Sequence, residues 1–274
     1  MNTDLKEVCK DIRCDIMTAI GHLGVGHIGG CLSIVEYLAV LYFDEMNIDP
    51  ENPKMQGRDR FVCSKGHAGP AVYATLAERG YFPKEELLTL NQGGTHLPSH
   101  CDMNLTTGID MTAGSLGQGI SCAVGAALGS KLENDGATVY AIVGDGESQE
   151  GQVWEAAMFA AAKKLDNLIV ATDYNKLQID GPVEEVNGVA PLGKKWEAFG
   201  WNVIDVEDGN DVYRVKAAVD EAKSLRGSGK PTMIILNTKK GCGVKWIEDM
   251  GAGNHNTNVT EEQAAAAIAE IRGN

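Results

Sequence analysis

The sequence predicts an α/β fold: one domain spanning residues 1–274, with a central parallel sheet and helices on both faces. Two observations carry this. Four short apolar runs, "ATVYAIVG", "NLIVATD", "WNVIDVE" and "PTMIILNT", lack the polar alternation of a half-exposed strand. Strands of that kind are buried on both faces, as in parallel sheets. Helical segments also alternate with these runs, as crossover connections between parallel strands require.

The elements follow in order. Leu5, Val8, Ile12, Ile16 and Ile20 recur at three- and four-residue steps and form the stripe of an amphipathic helix over 4–20. A glycine-rich loop, "GHLGVGHIGG", precedes "SIVEYLAVLYF", which reads as a buried helix. "SKGHAGPAVYATLAERG" is a loop entering a helix that stops at Gly80. "FPKEELLTL" is a short helix with Pro83 near its first turn. Residues 92–114 are irregular, and "GSLGQGISCAVGAALGSKLEN" is a helix of small residues suited to close packing. A helix over about 150–164 joins the first two apolar runs, "DVYRVKAAVDEAKSL" joins the last two, and Thr260 caps a terminal helix.

Composition narrows the function. The chain has 274 residues and a formal charge of −14, which argues against nucleic acid or an anionic membrane as partner. A phosphorylated ligand stays open, because local N–H groups and a metal ion overrule global charge. The 33 glycines exceed the usual share of about 7% and suggest loops in which backbone approaches a ligand. "MNTDLKEVCKDIR" is charged and has no apolar signal-peptide core, and the longest apolar run is too short to span a membrane. Seven scattered cysteines without a C-x-x-C pair read as reduced thiols, so the expected location is cytoplasmic.

The most informative stretch is "GDGESQEGQVWEAAMFAAAKKLDNLIVATDYNKLQIDG", residues 144–181. Asp145 follows the first strand, and Asn175, thirty residues on, follows the second. A right-handed crossover makes those strands parallel, so both side chains belong at the carboxyl ends, where open α/β sheets bind ligands. One carboxylate and one amide oxygen suit a small octahedral cation that keeps sites for phosphate oxygens. Gly144 and Gly146 let the backbone approach a phosphate. The chemistry that fits is a Mg2+-diphosphate site, in which Ca2+ or Mn2+ can substitute.

"GDGESQEG…DYNKLQIDG" resembles the thiamin diphosphate motif of the transketolase family. "GVGHIGGCLS" is similar to the family's first His loop, "SKGHAGPAVYA" to its second, and "SHCDMNLTTGIDMTAGSLGQGIS" to its third with the following turn. The matches run in the family's order from about residue 10 to 255. The resemblance implies a thiamin diphosphate-binding domain of the PP type. It implies Asp145, Asn175 and the backbone carbonyl of Leu177 as Mg2+ ligands, and Gly146 against the diphosphate. Gly114 and Leu116 would meet the aminopyrimidine, and Ile179 the thiazolium. Glu150 and Glu155 would relay protons between paired active sites. His27, His67, His100 and His255 would line the channel to the cofactor, where imidazoles titrating near neutrality suit proton transfer to sugar hydroxyls. His22 and His96 match nothing and read as surface residues.

The chain departs from the family in three loops. His100-Cys101 stands where His-Pro is usual, and Cys101 is expected to loosen its loop, because it lacks proline's fixed φ. "NHNTN" replaces a common His-Gly, and Ile28 a frequent Pro. The larger departure is length. Transketolases carry three domains, and this chain resembles the first alone. The resemblance therefore implies the N-terminal subunit of a split transketolase, which transfers a two-carbon ketol unit from a ketose phosphate to an aldose phosphate. A C-terminal subunit would supply the pyrimidine-binding domain and most of the sugar-phosphate contacts in an α2β2 assembly. An apulose-phosphate or sulfosugar transketolase shares this half, and a 2-oxo acid dehydrogenase alpha subunit shares the cofactor motif. "GVGHIG" at 24–29 fits G-x-G-x-x-G but follows a helix rather than a strand, and "GSGKPT" lacks the first glycine of a P-loop.

Overall fold

A computed structural model describes residues 4–273; the first three residues and the last of the expected 1–274 domain lie outside it. Five parallel strands form the central sheet: β1 (Arg60–Cys63), β2 (Val139–Gly144), β3 (Leu168–Asp173), β4 (Asn202–Val206) and β5 (Thr232–Leu236). Their spatial order is β1-β2-β3-β5-β4. The four expected strands are all present. The fifth, β1, was not expected: it is four residues long, sits at an edge, and leads directly into "SKGHA".

Alternation along the strands makes two cores. Tyr140, Ile142, Ile169, Ala171, Ile234 and Leu236 point to one face. Val139, Ala141, Val143, Val170, Met233 and Ile235 point to the other. The first face is covered by α1 (Leu5–Leu23), the buried segment 28–42, α2 (Gly69–Arg79) and, farther along the chain, Val212–Ser224 and Glu261–Arg272. The second is covered by α3 (Gln118–Glu133) and α4 (Gly151–Ala162), with Trp196 and Trp201 stacked edge-on at 4.9 Å. A sheet buried on both sides explains why its strands read as unbroken apolar runs.

Local chemistry sets the helix ends. Asp4 caps α1 by accepting from the Lys6 N–H at 3.0 Å, and Gly24 ends it in the left-handed region at φ 89°. Gly80 ends α2 in the same way. Thr260 and Gln263 form a reciprocal capping box on the last helix. "SIVEYLAVLYF" is buried but not one helix: an α-helix over Val35–Val40 widens into a π turn over Leu41–Glu45. "FPKEELLTL" forms a 3-10 helix, Lys84–Thr89. Among the described residues no helix is long and apolar enough to cross a membrane, and all seven cysteines are free.

Candidate active site

The adjacent strands β2 and β3 end level with each other, Gly144 opposite Asp173. Asp145 and Asn175 consequently leave the sheet side by side. Asp145 is 2% exposed. Its Oδ1 accepts from the Gly146 N–H at 2.7 Å and its Oδ2 from the Lys176 N–H at 2.5 Å. Asn175 Oδ1 accepts from the next N–H, that of Leu177, at 3.0 Å. The carboxylate and the amide oxygen are therefore held on consecutive backbone donors. Burial, reinforced by the charge of Asp173, pushes the Asp145 carboxyl up to about 7. The Leu177 carbonyl accepts from Lys240 Nζ at 3.3 Å.

Beneath this pair lies Asp173, fully buried. It accepts from Ser33 Oγ at 2.7 Å, Lys65 Nζ at 2.5 Å, Asn175 Nδ2 at 2.8 Å and the Thr238 hydroxyl. Burial alone would raise its pKa, but the Lys65 charge and these donors outweigh burial and hold it below the usual range. Glu147 is a second buried acid, with Ser64 Oγ at 2.5 Å and the N–H groups of Gly117 and Gly144 at 2.9 Å each. It ties the loops after β1 and β2 to the turn before α3.

A cavity of about 340 Å3 opens over these groups. Gly144, Asp145, Gly146, Asn175, Leu177 and Lys65 form part of its lining. Leu116 and Ile179 also line it and are 39% and 64% exposed, unusual for large apolar side chains. His67 and His255 reach the cavity, whereas His27 and His100 are not part of its lining. The four rings form one cluster. His27 lies 5.5 Å from His67, 5.8 Å from His100 and 5.5 Å from His255, and His67 lies 5.1 Å from His255.

Burial lowers the pKa of all four histidines. For His255 the fall reaches about 4, because burial is reinforced by Lys240, whose Nζ lies 3.1 Å from His255 Nδ1. Lys240 is itself pushed down to about 8, by burial first and the nearby Lys65 charge second. The rings were expected to titrate near neutrality; burial instead favours their neutral form and makes each a weaker proton acceptor than a free imidazole.

Close backbone contacts hold the loops together. A Cβ on Gly66 would lie 2.5 Å from the Ala113 carbonyl oxygen and 2.8 Å from the Gly114 nitrogen. Gly114 packs beside the His100 ring, with its own Cβ position 3.6 Å from that ring. Cys101 in this loop is 1% exposed and accepts at its carbonyl from the Ala113 N–H at 3.0 Å. Ile28 is likewise fully buried.

Some expected residues lie apart. Glu150 lines the cavity but is exposed, and Glu155 is exposed on α4 away from it. His22 and His96 are exposed, as expected. Among the described residues no three His, Cys, Asp or Glu side chains form a metal-sized cluster. The expected set has only one carboxylate and is of a different kind. Sequence reasoning missed Lys65, Asp173, Glu147 and Lys240. The acid closing "IVATD" and the lysine of "SKGHA" were visible signals; Lys240 had none.

Residues 5–271 match the family model described as transketolase, thiamine diphosphate binding domain. The chain is 56% identical to the 6-deoxy-6-sulfo-D-fructose transketolase subunit of Clostridium sp. (strain MSTE9), across 98% of this chain and 96% of that one. It is 39% identical to an apulose-4-phosphate transketolase subunit of Actinobacillus succinogenes, with the same coverage. The solved transketolase of Leishmania mexicana superposes with a TM-score of 0.90 at 31% identity, covering 98% of this chain and 41% of that longer one.

Proposed function

The chain belongs to the transketolase family, and on that premise we propose that it is the thiamin diphosphate-binding subunit of a two-chain ketol transferase. The donor in this reading is a 6-deoxy-6-sulfo ketose. One observation carries the reaction class: the four histidines gather beside a cavity whose floor pairs Asp145 with Asn175. The donor rests on the 56% identity to a sulfofructose transketolase subunit, set against 39% to an apulose-phosphate one.

The residues fit a divalent cation. Asp145 is a buried carboxylate with no side-chain cation bonded to it, and a metal ion would supply the missing charge. In this reading Asp145, Asn175 and the Leu177 carbonyl hold Mg2+, with Ca2+ or Mn2+ as substitutes. Gly144 and Gly146 lie against the diphosphate. Gly114, Leu116 and Ile179 face the cofactor rings, which explains two exposed apolar side chains at the cavity mouth. When bound, thiamin diphosphate acts as the electron sink for breaking a ketose carbon–carbon bond.

The chain's own residues orient and move protons. His27, His67, His100 and His255, uncharged near neutrality, accept and return protons at the sugar hydroxyls. Glu150 and Glu155 lie on the surface that a second copy would cover in an α2β2 assembly. The C-terminal subunit supplies the acid that the aminopyrimidine requires and the contacts to the anionic end of the sugar; relatives of matching length that are themselves named as subunits support this reading. The expected location remains the cytoplasm.

Removing two carbons from 6-deoxy-6-sulfofructose leaves a four-carbon sulfoaldose. The test is a donor panel with the complex purified through a tag on this chain: sulfofructose, apulose 4-phosphate and xylulose 5-phosphate. Sulfofructose is expected to give the highest kcat/KM. A higher value for either phosphate sugar overturns the donor reading while leaving the reaction class intact.

A further inference from the structure

Asp173 draws side chains from four separate segments into one point: Ser33, Lys65, Asn175 and Thr238. A fully desolvated carboxylate requires donors of this kind. Lys65 is equally buried at 2% and also donates to the Gly30 carbonyl at 3.0 Å. It matches the negative charge of Asp173 within the fold.

The consequence falls on Asn175. A carboxamide has a donor end and an acceptor end of nearly the same shape, so its direction is set by its neighbours. Nδ2 donates to Asp173 Oδ2 at 2.8 Å, and Oδ1 accepts from the Leu177 N–H at 3.0 Å. Reversal would set oxygen against carboxylate at one end and NH2 against N–H at the other. Oδ1 thereby takes the N–H next to that of Lys176, on which Asp145 Oδ2 sits at 2.5 Å.

We infer that Asp173 is a positioning residue for metal binding: it fixes the Asn175 carboxamide with its oxygen beside the Asp145 carboxylate, while Lys65 neutralises Asp173 so that the cation's charge is drawn to Asp145. This rests on the proposed metal site. Groups that orient a metal ligand from behind typically cost 10–100-fold in affinity when removed.

The test measures Mn2+ affinity by the loss of the free-ion EPR signal, on the full chain with thiamin diphosphate present. Four proteins are compared: the parent, Asp145→Asn, Lys65→Met, and Lys65→Met/Asp173→Leu. The double variant removes both buried charges together and leaves neither unpaired. Circular dichroism and urea unfolding without metal report any purely structural effect. Lys65→Met leaves the Asp173 charge unneutralised and should itself shift Mn2+ affinity, and the double variant, which also removes the Asn175 anchor, should fall about 10–100-fold below the parent. Parent-like affinity in the double variant, with Asp145→Asn impaired, overturns the positioning role and leaves the metal site standing. Unchanged affinity in Asp145→Asn overturns the metal site itself. Should the double variant not fold, the 15N-labelled parent answers instead. The Asn175 NH2 is expected to be protected from solvent exchange without metal, and exchange at the rate of an exposed amide contradicts the inference.

Discussion

Gly144 and Asp173 stand opposite one another at the carboxyl ends of two adjacent parallel strands. That single register places the Gly-Asp-Gly turn and the Asn175 loop at the same height above the sheet. It makes a site from residues thirty positions apart without any long-range coincidence. Each strand is buried on both faces, so a slip of one residue would turn its core side chains the wrong way.

The pairing gives a first prediction. Asp145→Ala should lower Mg2+-dependent thiamin diphosphate affinity in the assembled complex by at least about tenfold. Isothermal titration with and without Mg2+ measures this. Affinity equal to the parent's in both conditions would show that the metal lies elsewhere.

His255 supplies a pH dependence. Its folded pKa is pushed down to about 4, from an ordinary value of 6.5, by burial and Lys240. Above pH 6.5 the ring is neutral in both folded and unfolded chains and contributes no slope. Between 6.5 and 4 the unfolded chain takes up a proton that the folded one refuses, so stability falls as pH drops through that window. Urea midpoints of the parent should therefore decline more from pH 7.5 to pH 5 than those of His255→Gln. Parallel declines would mean that His255 carries a proton in the folded state.

Gly66 tests the loop packing. The Cβ of Gly66→Ala would meet the backbone of Ala113 and Gly114, which cannot rotate away. Overpacking of this kind costs about 1–3 kcal/mol. Equilibrium urea unfolding should show a loss of that size, together with weaker cofactor binding from displacement of Gly114. A neutral effect on both would show that the two loops part readily.

Arg13 and Glu36 form a buried ion pair at 2.6 Å between α1 and the helix Val35–Val40, with side chains 8% and 5% exposed. Arg13→Met leaves Glu36 with only the Asn210 amide at 3.1 Å. Breaking one side of such a pair costs about 3–5 kcal/mol, whereas Arg13→Met/Glu36→Leu should recover much of the loss. A double-mutant cycle in urea measures both. An additive result would show that the pair is not coupled.

Much of this architecture was legible in the sequence because parallel strands leave unbroken apolar runs. Strand β1 escaped notice because it has four residues, begins on the last residue of the charged "RDR", and runs straight into a loop. Asp145 and Asn175 were legible from their places after two apolar strands, the histidines only through the family resemblance, and the fold brings them together. Lys240 was not, since its contact with Leu177 spans 63 positions and no local pattern announces it. Glu147 was hidden for the same reason: its partners Ser64 and Gly117 lie 83 and 30 positions away. Spacing shows what a segment can become, but partners that meet only in the folded chain leave no periodicity to read.

In the proposed reading, this chain performs ketol transfer only with a second subunit. The direct measurement adds 6-deoxy-6-sulfofructose, an aldose phosphate, thiamin diphosphate and Mg2+ to the purified chain, and separately to the complex isolated through a tag on it. Formation of the four-carbon sulfoaldose is followed by mass spectrometry. Product from the complex and none from the chain alone is the predicted result. Turnover by the chain alone, at the rate of the complex, would contradict it.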